Sequence, residues 1–184
     1  MRRLATHLKR VVAALSLATL IPVGAVAAGL DEAFSRLADP ENPEWRLAQS
    51  DIEREWSRSG SPAMDLLLKR GQEALKAGDL PAAIEHLTAL VDHAPDFAEG
   101  WNARATAYFL ADQIGPSLAD IQRTLALEPR HFGALSGLGR ILDETGDKAA
   151  ALAAYRAALA INPHLEPIRD AAERIERETE GTEI

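Results

Sequence analysis

Asn102, Thr106 and Phe109 are four and three residues apart, a spacing that puts all three on one face of a helix. An amide on that face can pair with a peptide backbone while the ring beside it supplies apolar contact. Arg140 can grip a carboxylate through two parallel N–H donors, with Asp143, three residues on, as a competing partner within the chain. This is the chemistry of recognition, and the patterns of catalysis are missing. The sequence has no glycine-rich phosphate loop, no nucleophile elbow and no H-E-x-x-H signature, since Glu85-His86 lacks the second histidine at the required offset. His86 and His93 are seven residues apart, about 10 Å along a helix at ~1.5 Å per residue, too far to share a metal ion. His131 and His164 fall at the ends of units, two and one residues after the recurring prolines, where polar turn residues are expected. Glu173, Glu176, Glu178 and Glu180 alternate with Arg174 and Arg177 and read as a solvated helix face. The chain has no cysteine, which removes disulfides, thiolate zinc sites and cysteine nucleophiles together. The expectation is a protein without catalytic residues, metal or cofactor.

The elements that must position these side chains come from a repeat. Pro95, Pro129 and Pro163 lie 34 residues apart, and the same interval links Gly71, Ala105 and Gly139. It also links Gly78, Asp112 and Gly146, then Ala83, Ser117 and Ala151. Small residues in the Gly71 and Ala83 columns let two antiparallel helices approach closely. Gly78-Asp79 and Gly146-Asp147 supply the left-handed turn that ends a helix, and the proline, lacking a donor amide, stops the next one. Each unit therefore reads helix, turn, helix, proline, with Asp112-Gln113 and Gly115-Pro116 replacing the glycine turn in the second and predicting a displaced or looser turn there.

On these residues, together with Trp101, Tyr108, Leu138, Ala151, Tyr155, Ala158 and Asn162, the sequence resembles the tetratricopeptide repeat (TPR) family. The resemblance implies an all-α solenoid of helical hairpins with three repeats, at 64–97, 98–131 and 132–165. Leu90 and Thr124 stand where the family usually has alanine. In the family the first helix of each unit lines a concave groove that binds protein segments. By that resemblance the groove here contains Gln72, Lys76, Asn102, Thr106, Phe109, Leu110, Ser136 and Arg140. Chaperone-binding members hold a partner's terminal carboxylate with lysines, arginines and asparagines, but Lys69, Ala103 and Gly137 occupy one of those columns, so that ligand is not expected.

Around the repeats, residues 28–63 are helical in pattern. Leu30, Phe34 and Leu37, then Trp45, Ala48, Ile52 and Trp56, recur at helical spacing on either side of the turn Asp39-Pro40-Glu41-Asn42-Pro43. They predict a fourth, atypical hairpin capping the N-terminal side, with both tryptophans in the core. Residues 166–184 hold a polar helix from Ile168 to Arg177 that closes the other end.

The first residues predict export. Arg2, Arg3, His7, Lys9 and Arg10 precede the apolar run Val11 to Ile21, and Ala25-Val26-Ala27 gives a small-x-small cleavage frame, with Val26-Ala27-Ala28 one residue later. The reading is a signal peptide over 1–27. An uncleaved anchor needs about 20 apolar residues, more than this run supplies, so no integral membrane span is expected after cleavage. Stretches such as Arg70-Gly71, Trp101 to Ala105 and Leu127 to Phe132 are similar to small periplasmic TPR proteins of Gram-negative bacteria, some tied to cell-envelope integrity. The full chain has a formal charge of −8, and cleavage removes four basic residues and no acid. That balance argues against nucleic acid or an anionic membrane as partner and favours a basic or neutral one. The functional expectation is a non-enzymatic periplasmic scaffold or adaptor binding a protein or peptide of the envelope. The rival is a permanent regulatory or assembly subunit of an envelope enzyme or machine; the partner's identity and the oligomeric state stay open.

Overall fold

The structure, a computed structural model, describes residues 23–180, and each regular element among them is an α-helix. The expected signal peptide lies outside the described residues except for 23–27, which open the first helix. In chain order the helices are α1 (Val23–Ala38), α2 (Trp45–Trp56), α3 (Pro62–Ala77), α4 (Leu80–His93), α5 (Ala98–Leu110), α6 (Ile114–Leu127), α7 (Phe132–Glu144), α8 (Lys148–Ile161) and α9 (Glu166–Glu180). Helices α3 to α8 form three antiparallel hairpins stacked in sequence, and α9 packs on α8.

The repeated columns are packing positions. A methyl group at Gly71 would come within 2.5 Å of the Leu87 side chain, and one at Gly139 within 2.4 Å of the Tyr155 ring. In the second unit Ala105 takes this place, and Ser117 across from it donates its hydroxyl to the Ala105 carbonyl at 2.8 Å in a buried bond. Leu90 is completely buried and fits because Gly100 faces it; a methyl there would lie 3.1 Å from a Leu90 methyl. One repeat later the same two columns hold Thr124 and Ala134, and in the last Ala158 and Ile168, so the second column grows as the first shrinks.

Turns inside the hairpins are alike. Gly78 (φ 75°) and Gly146 (φ 90°) take the left-handed conformation, and so does Asp112 (φ 58°), a residue type that tolerates it. Equivalent backbone bonds close all three helices: Asp79 N–H to Ala74 O, Gln113 N–H to Tyr108 O and Asp147 N–H to Leu142 O, at 2.8–2.9 Å. The second turn is thus neither displaced nor loosened, because aspartate can do here what glycine does in its neighbours.

The N-terminal hairpin departs from expectation. Its core of Ala33, Phe34, Leu37, Ala48 and Ile52 packs against Phe132, Ile161 and Leu165, so it leans on the third unit instead of stacking before the first. Helix α2 acts as a strap across the turns between units. Trp45 stacks on His164 (centroids 4.5 Å apart, planes at 2°), Gln49 accepts a bond from the buried Asn162 amide at 3.1 Å, and Trp56 stacks on His131 (4.2 Å, 9°). The two tryptophans are eleven residues apart, three turns and ~16 Å, so one face of α2 reaches both junctions. Asp31 with Arg130 (2.8 Å) and the Asp39 carbonyl with His164 Nε2 (3.2 Å) complete the attachment. Both tryptophans are partly buried against the hairpin core, as their spacing predicts. At the far end, Ala172 and Ile175 of α9 bury against Ala151 and Tyr155, while Arg174 and Lys148 converge on Asp143.

Candidate functional site

Helices α3, α5 and α7 lie side by side, and the expected binding residues sit along the surface they share. Two recesses open there. One, of about 140 Å³, lies between α5 and α7 and is lined by Asn102, Thr106, Phe109 and Arg140 at its rim, with Ala105, Ile121, Ala134 and Ile141 deeper. It exists because α7 presents Gly133 and Gly137 to it, leaving space where side chains would stand. The other, of about 280 Å³, lies where the end of α2 overhangs α3, α5 and α7, between Glu53, Trp56, Gln72, Glu99, Asn102 and His131. Asn102 and Gly133 line both, so the recesses are two stretches of one track.

Five of the eight residues expected in the groove line this track: Gln72 under the strap, Asn102 at the junction, and Thr106, Phe109 and Arg140 at the apolar end. Lys76 and Leu110 are exposed beyond it. Ser136 also lines neither recess, its hydroxyl donating to the Phe132 carbonyl at 2.7 Å. Arg140 does not pair with Asp143; it bonds Glu144 (3.1 Å) and lies over the Phe109 ring, 4.7 Å from its centroid. Asp143 points the other way, to Lys148 and Arg174. Burial pushes its carboxyl upward, yet the hydrogen bonds from Lys148 and Arg174 outweigh that and hold it below the usual carboxylate range.

His131 is the residue sequence reasoning missed. It is 2% exposed and caps α7, its Nδ1 accepting the Ala134 N–H at 3.1 Å. With Nδ1 an acceptor, the ring proton sits on Nε2 and points at the Glu99 carboxylate, 3.0 Å away. Asn102 donates to the same carboxylate oxygen at 3.2 Å. Glu99, His131 and Trp56 thus join the strap to the groove wall. The signal available in the sequence was a histidine directly before a helix, in the position of an N-cap. Behind the track, Arg104 reaches from α5 to Asp120 on α6 by two bonds of 2.7 and 2.9 Å, and its guanidinium lies over Trp101. Among the described residues no group of three metal-ligating side chains comes together, and no helix is long and apolar enough to cross a membrane.

Stacked helical hairpins with a recessed face formed by the first helix of each pair define a helical-repeat solenoid. The chain belongs to the tetratricopeptide repeat family, whose profile matches residues 68–114 and 117–166. A TPR repeat-containing protein of Rhizobium etli is 38% identical over 135 residues, which is 73% of this chain and 66% of that protein, so the chain spans just under two thirds of its relative. Among solved structures, the Sgt2 TPR domain from Aspergillus fumigatus superposes with a TM-score of 0.62 at 22% identity, covering 67% of this chain and 83% of that one. The first TPR of Spaghetti (RPAP3), bound to the HSP90 peptide SRMEEVD, gives 0.62 at 22%, covering 65% and 94%. MamA gives 0.58 at 20%, covering 83% and 81%. At these identities the structural likeness establishes the fold alone.

Proposed function

We propose that this protein is an exported, non-enzymatic adaptor that holds an extended segment of a partner protein in the track along α3, α5 and α7, and that it serves the cell envelope from the periplasm. The observation that carries the reading is the convergence of Asn102, Thr106, Phe109 and Arg140 on one recess with an apolar floor. Amide and hydroxyl groups there suit a peptide backbone, and the floor suits one apolar side chain. The TPR of RPAP3 holds a peptide, which supports this use of the fold. Export rests on the basic head, apolar run and small-residue frame of the first 28 residues. The rival, a permanently embedded subunit, calls for a broad exposed apolar surface. The large exposed apolar side chains among the described residues are Leu47, Leu66 and Leu110, one each on α2, α3 and α5.

The test is a photo-crosslinking amino acid placed at Phe109, with Gln122 on the exposed side of α6 as control, in cells, alongside mass spectrometry of the N-terminus. A discrete adduct from position 109 alone is the expected result. Equal adducts from both positions would move the reading to the embedded subunit, and an intact Met1 would remove the cleaved-export part.

A further inference from the structure

The two ends of the track differ in charge. At the apolar end the charged lining residue is Arg140, already paired with Glu144 and lying on Phe109. At the strap end the charged residues are Glu53 and Glu99. Their polar partners are neutral: Gln49 donates to Glu53 at 2.8 Å, and the Asn102 amide and His131 Nε2–H serve Glu99. Among the described residues neither carboxylate is paired with a lysine or arginine, although ion pairs are frequent elsewhere on the surface. Two negative charges therefore stand without a cationic partner at a recess of about 280 Å³, Glu99 half-buried in its wall and Glu53 exposed at its edge, and this recess adjoins an apolar one of about 140 Å³. Partial burial strengthens the attraction of Glu99 for a cation, and Glu53 adds the weaker pull of a solvated charge.

We infer that the track selects a partner segment carrying a lysine or arginine beside an apolar residue, the cationic side chain entering under α2 towards Glu53 and Glu99 and the apolar one filling the recess between α5 and α7. The inference rests on the adaptor reading and adds the ligand's chemistry and its direction in the groove. It is the opposite preference from the acidic SRMEEVD peptide held by the TPR of RPAP3. Glu53 and Trp56 reach this end of the track from α2, and Glu99 from α5. The apolar recess, about the size that accepts a benzene ring in an engineered cavity, takes one leucine- or phenylalanine-sized side chain.

The experiment is selection from a phage-displayed random 12-residue library on residues 28–184. It is repeated on Glu53→Gln/Glu99→Gln, which keeps an acceptor oxygen for the neutral donors around each side chain but removes the charge, and on Gly137→Leu, which fills the apolar recess; thermal melts verify that each variant folds. If Gly137→Leu does not fold, Ile121→Phe narrows the same recess. The wild type is expected to enrich peptides with Lys or Arg beside an apolar residue. The double glutamine variant should lose the basic preference and bind the selected peptides about tenfold or more weakly, and Gly137→Leu should lose the apolar preference. Wild-type peptides with no basic residue enriched, or with binding unchanged in the glutamine variant, would overturn this inference and leave the adaptor reading standing. No peptide selected by a folded wild type would overturn both.

Discussion

Removing the Asp120 carboxylate leaves the Arg104 guanidinium, 13% exposed, without its two charged bonds and still held between Trp101 and Tyr108. A buried charge stripped of its partner typically costs about 3 kcal/mol or more, so Asp120→Ala is expected to lower the unfolding free energy by that order in urea titrations. Lys69→Ala, which breaks the exposed Lys69–Glu73 pair, should leave the midpoint unchanged. Asp143 gives a pH prediction. Its carboxyl is held below the ordinary value of 3.8, so its stabilisation is complete above that value and disappears as pH falls through the lower folded value. Asp143→Asn should therefore be less stable than wild type at neutral pH, and the gap should close as urea midpoints are followed down to about pH 2. Single residues were unevenly legible. Trp101 and the face of Asn102, Thr106 and Phe109 could be read from spacing and family pattern. Arg104–Asp120 joins residues sixteen apart on different helices, and no local pattern marks such a pair.

Helices and turns were the most legible level, because a 34-residue interval repeats the same packing problem and its answers align. Two glycines on α7 differ in how tightly they are packed. At Gly139 a methyl would meet the Tyr155 ring at 2.4 Å, whereas at Gly137 the nearest atom, a methyl of Ile121, is 3.7 Å away. Gly139→Ala is expected to destabilise the α7–α8 hairpin by about 1–3 kcal/mol through overpacking. Gly137→Ala should be neutral or stabilising by up to ~1 kcal/mol, since it removes a flexible residue from a helix interior. Differential scanning calorimetry on the pair distinguishes the two positions. Aspartate was harder to read at position 112, because a glycine column suggests that only glycine can turn there. The hairpin of α1 and α2 was legible as two helices, but its seat was not, since the residues that receive Trp45 and Trp56 come from turns far along the chain.

At the scale of the molecule the strap changes how a repeat array behaves. Solenoids hold together through neighbouring units, so their ends loosen independently. Here α2 bonds to Asn162 and stacks on His131 and His164, and the chain beyond it passes the junction between the first and second units, where Arg58 and Ser59 border a recess with Asp96 and Phe97. Deleting residues 23–57 is expected to leave the three hairpins helical but to lower the melting temperature and broaden the transition. Hydrogen exchange should show α7 to α9 losing protection more than α4, as Phe132, Ile161 and Leu165 lose their cover. The same feature sets an order in time. The strap is made before the residues that receive it: Asp31 and Arg130 are 99 positions apart, Asp39 and His164 125. At ribosomal rates of about 5–20 residues per second, that second interval is roughly 6–25 s, and until it has passed the α1–α2 hairpin lacks the cover that Ile161 and Leu165 supply. For that period the nascent chain carries a bare apolar helical face. The first part of the described chain to be made is thus among the last to close.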